Sequence, residues 1–224
     1  MSLRANEPGV NARTRNTPIV LTTSLARELI DSAACIALAC RCPCREEHKC
    51  QDYPVDFGCL CLGEGARDIA AAGKARKIDR QQAIEHLRLA DVHGLVNMVV
   101  WTGSDAKNTL KLCSCCPCCC ISLKAGDEMK AYIDDITGMG IARAEDGCNA
   151  CGECEGACFF KAITIMEDGP AVNADRCKGC GRCVKACRPG LLNVYPLEMV
   201  PCFSDGWDMI PARAFIDEIM KTIR

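Results

Sequence analysis

Residues 148–158 read CNACGECEGAC, and residues 177–187 read CKGCGRCVKAC. The four cysteines of the first stretch recur 29 residues further along the chain in the second. An apolar pair also follows each stretch, Ile163 with Ile165 in the first copy and Leu192 with Val194 in the second. Two copies of one small unit predict a pseudo-twofold arrangement in this part of the chain.

Each stretch has the spacing CxxCxxCxxxC, which is typical of sites for a 4Fe-4S cluster. Three thiolates on a tight loop bind one cluster, and the fourth, at the start of a helix, reaches the other cluster. A disulfide framework and a zinc site are the alternatives. Both are disfavoured, because cysteines at i, i+3 and i+6 point to a common centre and because zinc sites built from four cysteines usually pair two CxxC units.

From Ile141 to Tyr195 the chain resembles the bacterial two-cluster ferredoxins. The resemblance implies a fold of two short helices against small antiparallel strands and low-potential one-electron transfer. It departs from the family in that the usual proline after each fourth cysteine is replaced by Phe159 and displaced to Pro189. Neither change removes a ligand. The implied ligands are Cys148, Cys151, Cys154 and Cys187 for one cluster, and Cys177, Cys180, Cys183 and Cys158 for the other.

Cysteines are also dense in the N-terminal half, in CRCPCREEHKC (residues 40–50), CLC (59–61) and CSCCPCCC (113–120). With Cys35 these segments supply thirteen thiols, more than one four-thiolate site requires. In an extended chain, side chains alternate between faces. Cys113 and Cys115 are therefore expected on one side, with the cysteines at 116, 118 and 120 on the other.

The N-terminal half resembles the cysteine-rich module that precedes a ferredoxin domain in some anaerobic multi-cluster iron-sulfur proteins. The resemblance implies additional metal, most simply one or two further iron-sulfur clusters. Zinc in at least one site, or metal-free packed or disulfide-bonded cysteines, are the alternatives. The predicted metal ligands are Cys42, Cys44, Cys50, Cys59, Cys113, Cys115, Cys116, Cys118, Cys119 and Cys120.

The remaining cysteines and histidines have no second ligand at a spacing typical of a metal site. Four cysteines are expected to be small buried side chains: Cys35, Cys40, Cys61 and Cys202. His48, within EEHK, is a candidate ligand but is better explained as part of a charged surface. His86 and His93 are assigned no role. No dinucleotide fingerprint, phosphate loop or nucleophile with a base is recognisable, so no catalytic residue is predicted.

The remaining sequence predicts an α+β fold. Helices are expected from Ser24 to Ala34 with Ser24 as cap, from Asp79 to Ala90 with a capping box to Gln82 and a stop at Gly94, from Asp127 to Ile136, and from Pro211 to Ile223. Strands are expected at Ile36 to Ala39 and Leu95 to Trp101. We expect a cysteine-rich α/β metal-binding domain over residues 1–137, a hinge near Gly138 to Gly140, a two-cluster ferredoxin domain over 138–200, and an extension over 201–224 with an amphipathic helix.

Composition limits the classes of function. The formal net charge of -2 offers no electrostatic reason to bind nucleic acid or an anionic membrane. The first seventeen residues contain charges and no apolar run, and no stretch of about 20 apolar residues occurs, so the sequence predicts a cytoplasmic protein with reduced thiols. Aromatic residues make up only 4% of the chain, so metal-thiolate bonds are expected to supply part of its cohesion.

The sequence therefore predicts an electron carrier or relay, acting as a non-catalytic subunit or partner of an anaerobic redox enzyme rather than as an enzyme itself. The expected partner is a redox protein, and the oligomeric state is left open. One alternative is an enzyme or cofactor-activating factor with an open-site N-terminal cluster. Another is a metal-handling or redox-sensing protein in which the cysteine run at 113–120 exchanges metal.

Overall fold

The computed structural model describes residues 18–101, 109–120, 122–123, 136–202 and 208–224. It is an α+β structure, as predicted. The helix predicted from Asp127 to Ile136 lies outside the described residues except for Ile136. No helix in the described parts of the chain combines the length and apolar character needed to cross a bilayer.

Seven strands form one sheet in the order β4-β2-β3-β6-β5-β1-β7. Neighbouring strands are antiparallel except β1 and β7, which are parallel. The strands are β1 (Ile19–Val20), β2 (Ile36–Ala39), β3 (Leu60–Leu62), β4 (Ala75–Lys77), β5 (Val96–Trp101), β6 (Leu110–Cys115) and β7 (Thr137–Gly138). The two predicted strands correspond to β2 and β5. The helices between them are α1 (Thr23–Ser32), α2 (Pro43–Glu47), α3 (Gly65–Ala71) and α4 (Arg80–Val92).

The ends of α1 and α4 show how local sequence sets the helices. The side chain of Asp79 accepts a hydrogen bond from the amide of Gln82, whose side chain accepts one from the Asp79 amide, so the predicted capping box is present. Gly94, with φ of 64°, follows the helix end as expected.

The cap predicted for α1 is wrong. Thr22 rather than Ser24 is the N-cap, because its backbone is extended and its Oγ1 accepts from the Leu25 amide at 3.3 Å.

One face of the sheet carries the main apolar core. Alternate residues Leu110 and Leu112 of β6 point into this core, together with apolar residues of α1 and α4. The C-terminal helix α7 (Ala212–Ile223) covers the same core and buries Ile216 completely. The amphipathic helix predicted at the end of the chain therefore packs on the N-terminal sheet.

The cysteine repeat folds into matching small units. Strand β8 (Gly140–Ala144) pairs antiparallel with β11 (Leu192–Pro196), and β9 (Ile163–Met166) pairs antiparallel with β10 (Gly169–Val172). The repeat also contains the short helices α5 (Glu153–Ala157) and α6 (Arg182–Ala186), and a hairpin of β12 (Met199–Cys202) and β13 (Asp208–Pro211) follows. Gly152 and Gly181 cap α5 and α6 with φ of 82° and 79°, so the two copies use the same left-handed glycine.

The second face of the sheet meets this repeat. A Cβ atom on Gly138 would lie 2.4 Å from the Cα of Lys178, so the backbone of β7 touches the second cysteine loop. Lys185 forms an ion pair with Asp91 at 2.6 Å. The guanidinium of Arg182 donates to the carbonyl oxygen of Gly94. These contacts fix the repeat against α4 and the edge of the sheet.

Candidate metal centres

The second cysteine stretch and the last cysteine of the first share one cavity. Ala142, Phe160, Ile163 and Val194 provide apolar walls. Its cysteines are Cys158, Cys177, Cys180 and Cys183. The fold thus brings the fourth cysteine of one stretch to the first three of the other, as the crossed pattern of the sequence requires.

Backbone amides point at the sulfurs of this cavity. The amide of Ala142 donates to Cys177 Sγ at 3.4 Å, and the amide of Ala162 donates to Cys158 Sγ at 3.3 Å. Hydrogen bonds to sulfur are among the features that set the potential of an iron-sulfur cluster. The cavity therefore offers donors suited to anionic sulfur, together with apolar walls.

Burial favours the neutral form of these thiols when no metal is bound. It raises the pKa of Cys180 to about 11 and that of Cys183 to about 12, and the nearby sulfurs act in the same direction. Metal coordination deprotonates a thiol outright. The four cysteines thus fit a metal cluster, whose positive charge would compensate for the burial of the thiolates.

The thiols of the first cysteine stretch lie close to one another. Burial raises the pKa of Cys154, and the neighbouring thiols of Cys148 and Cys151 raise it further. Arg188 Nε lies 3.4 Å from Glu153 Oε1, which ties the residue after Cys187 to the start of α5. The side chain that follows Cys187 therefore reaches α5, next to the first cysteine loop.

Six N-terminal thiols, with Cys116 as a seventh that belongs to a second group described below, line a cavity of about 300 Å³ on the second face of the sheet, here called the sulfur cavity. Lys111, Cys113 and Cys115 line it because alternate residues of β6 face one side. Lys111, Ser114 and Ser122 add polar groups. The six thiols are those of Cys42, Cys44, Cys59, Cys113, Cys115 and Cys120.

The six thiols form one continuous series of contacts. The thiol of Cys59 contacts those of Cys42 and Cys113, that of Cys115 contacts those of Cys113 and Cys120, and that of Cys120 also contacts that of Cys44. The pKa values alternate, raised for Cys59 and Cys115 and lowered for Cys113.

Hydrogen bonds from Cys115 and Cys44 lower the pKa of Cys120 to about 4. Such alternation is expected where adjacent thiols share protons and cannot all ionise. Metal ions that replaced the shared protons would allow all of them to become thiolates.

Four other thiols lie on a separate patch, here called the four-thiol group. They are Cys50, Cys116, Cys118 and Cys119, whose sulfur atoms all lie within 4.8 Å of one another. The sulfurs of Cys50 and Cys118 are 3.6 Å apart. Cys116 also lines the sulfur cavity, so the two groups are neighbours.

The ten predicted N-terminal ligands are thus divided between two groups, only partly as expected. Cys113 and Cys115 lie on one side, as predicted, and Cys116 and Cys118 share the other group. The prediction for Cys120 is wrong, since it joins Cys113 and Cys115. Strand β6 ends at Cys115, and the turn that follows, in which the Cys120 amide bonds to the Cys116 carbonyl at 3.2 Å, interrupts the alternation.

Arg45 belongs to the CxCR pattern of residues 42–45, but the sequence did not predict its role at the site. Its side chain is 0% exposed and donates to the carbonyl oxygens of Phe57 at 2.6 Å and Ser114 at 2.7 Å. Burial alone would lower its pKa, but a hydrogen bond with Cys116 and the nearby thiols of Cys42 and Cys50 give a net rise. No carboxylate pairs with it among the described residues, and the groups that face its charge are the rings of Tyr53 and Phe57 together with nearby thiols.

The cysteines and histidines without an assigned site have varied surroundings. Cys35 and Cys61 are buried together against α3, as expected, whereas the prediction for Cys40 is wrong because it is exposed at a chain turn. The side chain of Cys202 lies outside the described ones. Among the histidines, His48 is exposed. His86 is buried, stacks on the Phe57 ring and hydrogen-bonds the Gly58 carbonyl at 3.0 Å, so it has a structural role that the sequence did not reveal.

Comparison with known proteins supports an iron-sulfur site at the second cysteine stretch. A family model described as a 4Fe-4S binding domain matches residues 170–192, which include Cys177, Cys180, Cys183 and Cys187. No curated protein and no solved structure matches the chain. This segment, with the cysteine-lined cavity around it, therefore supports iron-sulfur cluster binding.

Proposed function

We propose that this protein relays single electrons through two 4Fe-4S clusters in the cysteine repeat and a further iron-sulfur cluster in the sulfur cavity. It would act as a subunit or partner of an anaerobic redox enzyme. The clusters would supply one-electron chemistry at low potential. In this proposal the fourth cysteine of each stretch binds the cluster held by the other stretch. The chain is divided into an N-terminal part (residues 1–137), a ferredoxin part (138–200) and a C-terminal part (201–224).

The observation that carries the proposal is a single buried cluster of side chains containing thiols from both halves of the chain. Cys115 and Cys120 of the sulfur cavity belong to it, and so do Cys154, Cys158 and Cys183 of the repeat. The apolar side chains that join them come from β1, β5 and the repeat. This continuous packing places the two groups of thiols on one buried region, across which an electron could pass within the protein.

The N-terminal half supports a cluster through its charge as well as its thiols. A buried guanidinium without a countercharge is strongly unfavourable. Arg45 lies beside the sulfur cavity, and its surroundings offer thiols instead of carboxylates. A cluster bound by thiolates has the negative charge that Arg45 would balance.

Exposure differs between the two cysteine loops of the repeat. Cys151 is exposed, whereas the cysteines of the other loop are buried or half-buried. The surrounding side chains of Glu153 and Glu155 are also exposed. We propose that a redox partner approaches at Cys151, so that electrons pass between this edge and the interior.

The test is the iron and acid-labile sulfide content of anaerobically purified protein, with electron paramagnetic resonance after dithionite reduction. We expect about twelve irons or more per chain, since each cubane contains four. Cys115→Ser should lower the iron content by about four, whereas the control Cys61→Ser, which changes a buried thiol outside both groups, should leave it unchanged. About eight irons in the wild type would refute the N-terminal cluster.

A second candidate is an enzyme or cofactor-activating factor with an open-site cluster in the sulfur cavity. The favouring observation is the presence of Lys111 and Ser122 next to the thiols in a cavity of about 300 Å³. These groups could orient a small polar molecule. Cyanide should then shift the spectrum of the N-terminal cluster in the wild type and not in Cys115→Ser. An unchanged spectrum would favour the relay.

A further inference from the structure

Among the described residues, the four-thiol group is the set of cysteines whose sulfurs are all mutually close, whereas the thiols of the sulfur cavity are linked only pair by pair. All four sulfurs of Cys50, Cys116, Cys118 and Cys119 lie within 4.8 Å of one another. In a tetrahedral site with metal-sulfur bonds of about 2.3 Å, the sulfurs are separated by about 3.8 Å. The 3.6 Å between the Cys50 and Cys118 sulfurs is close to this value.

A cubane requires a wider arrangement. Each of its thiolates binds a different iron at a corner of the core, so the ligand sulfurs lie roughly 6 Å apart or more. The four-thiol group is too compact for this. Its short turn, which provides three of the four thiols from residues 116 to 119, also leaves little room to spread them.

The surroundings of the four-thiol group differ from those of the sulfur cavity. Cys116 and Cys119 pack with Ala90 and Leu95, at the end of α4 and the start of β5, and Cys50 and Cys118 lie against this packing. None of the four belongs to the buried cluster that joins the sulfur cavity to the repeat. The group instead fastens the loop after α2 to the turn after β6.

We propose that Cys50, Cys116, Cys118 and Cys119 bind a single divalent metal ion in tetrahedral thiolate coordination, and not an iron-sulfur cluster. Zn²⁺ and Fe²⁺ both accept four thiolates in this geometry. A divalent ion with four thiolates has a net charge of minus two, and the guanidinium of Arg45, which lies near Cys116, is in position to offset part of it. The site is separate from the proposed relay, so its existence does not depend on the cluster count there.

The first experiment measures zinc and iron in the anaerobically purified full-length protein, with X-ray absorption at the zinc edge. We expect about one zinc per chain with four sulfurs at about 2.3 Å. If iron occupies the site, the expected result is a Mössbauer signal of mononuclear high-spin Fe²⁺ that is absent from Cys119→Ser. Either result supports a mononuclear site and identifies the ion.

Variants connect the signal to the group. Cys119→Ser should weaken binding of the mononuclear ion by a factor on the order of ten or more, since even outer-shell changes at metal sites have effects of that size. The cluster iron should stay the same, and the control Cys61→Ser should alter neither. Three results would overturn the inference: four irons lost together in Cys119→Ser, a Cys50–Cys118 disulfide in the anaerobic protein, or absence of any mononuclear ion from the wild type.

Discussion

Replacing Arg45 by methionine tests whether this buried cation holds the two N-terminal thiol groups in place. The guanidinium is 0% exposed and forms short hydrogen bonds to the carbonyl oxygens of Phe57 and Ser114. Methionine has a similar length but no donors and no charge. The substitution therefore leaves two buried carbonyl oxygens without these donors, and removes the positive charge beside Cys116.

The expected loss of stability is large. Hydrogen bonds to a charged group contribute about 1.5 to 3 kcal/mol each, so two of them correspond to about 3 to 6 kcal/mol. For a chain of this size, each kcal/mol lowers the melting temperature by about 2 to 4 °C. Arg45→Met should therefore melt about 6 to 24 °C below the wild type, because the loss of the hydrogen bonds and the loss of the positive charge both destabilise the thiol groups.

The assay is anaerobic thermal unfolding of the metal-loaded protein, followed by circular dichroism and by cluster absorption at one scan rate. Arg41→Met is the matched control, since Arg41 lies four residues earlier and pairs with Glu46 at 2.9 Å, with side chains 63% and 51% exposed. Such exposed pairs contribute about 0 to 1 kcal/mol. Equal shifts for the two variants, or a shift for Arg45→Met of less than about 2 °C, would refute the reasoning.

Three further predictions concern the frame around the metal sites. Gly138→Ala should lower the melting temperature and the iron content, because its Cβ would clash with the backbone of the second cysteine loop. The control Gly156→Ala has open space around its Cβ and should be neutral or slightly stabilising. Equal effects of the two substitutions would contradict this packing. Ile216→Ala should destabilise the protein by about 2 to 5 kcal/mol in anaerobic denaturation, against about 0.5 kcal/mol or less for the exposed Met209→Ala, and a small loss would show that α7 is not part of the core. Burial lowers the pKa of His86, so its imidazole stays neutral in the folded protein, whereas the unfolded chain takes up a proton there below about pH 6.5. The free energy of unfolding should therefore fall as the pH drops below that value. A His86→Gln variant with the same pH dependence would disprove the assignment.

Local sequence was sufficient to predict part of the scaffold, namely the helices α1, α4 and α7 and the strands β2 and β5. The capping box at Asp79 and Gln82, the glycine at 94 and the apolar stripe of α7 depend on neighbours within a few residues. The α1 cap was misplaced by two residues because Thr22 and Ser24 are both good cap residues, and only the backbone angles distinguish them. The packing of α7 against residues of α1 depends on contacts that link opposite ends of the chain, so spacing alone did not reveal it.

By itself, the sequence determined the chemistry of the repeat, because all the information for CxxCxxCxxxC lies in the spacing of a few neighbouring residues. It also indicated that the N-terminal thiols are too many for one site. Only the tertiary structure divided those thiols into the sulfur cavity and the four-thiol group, since the division depends on a turn after β6 and on loops brought together from residues 42 to 59. It also placed Arg45 between them. The role of a buried charge depends on the groups around it, and the groups around Arg45 come from parts of the chain that are distant in sequence.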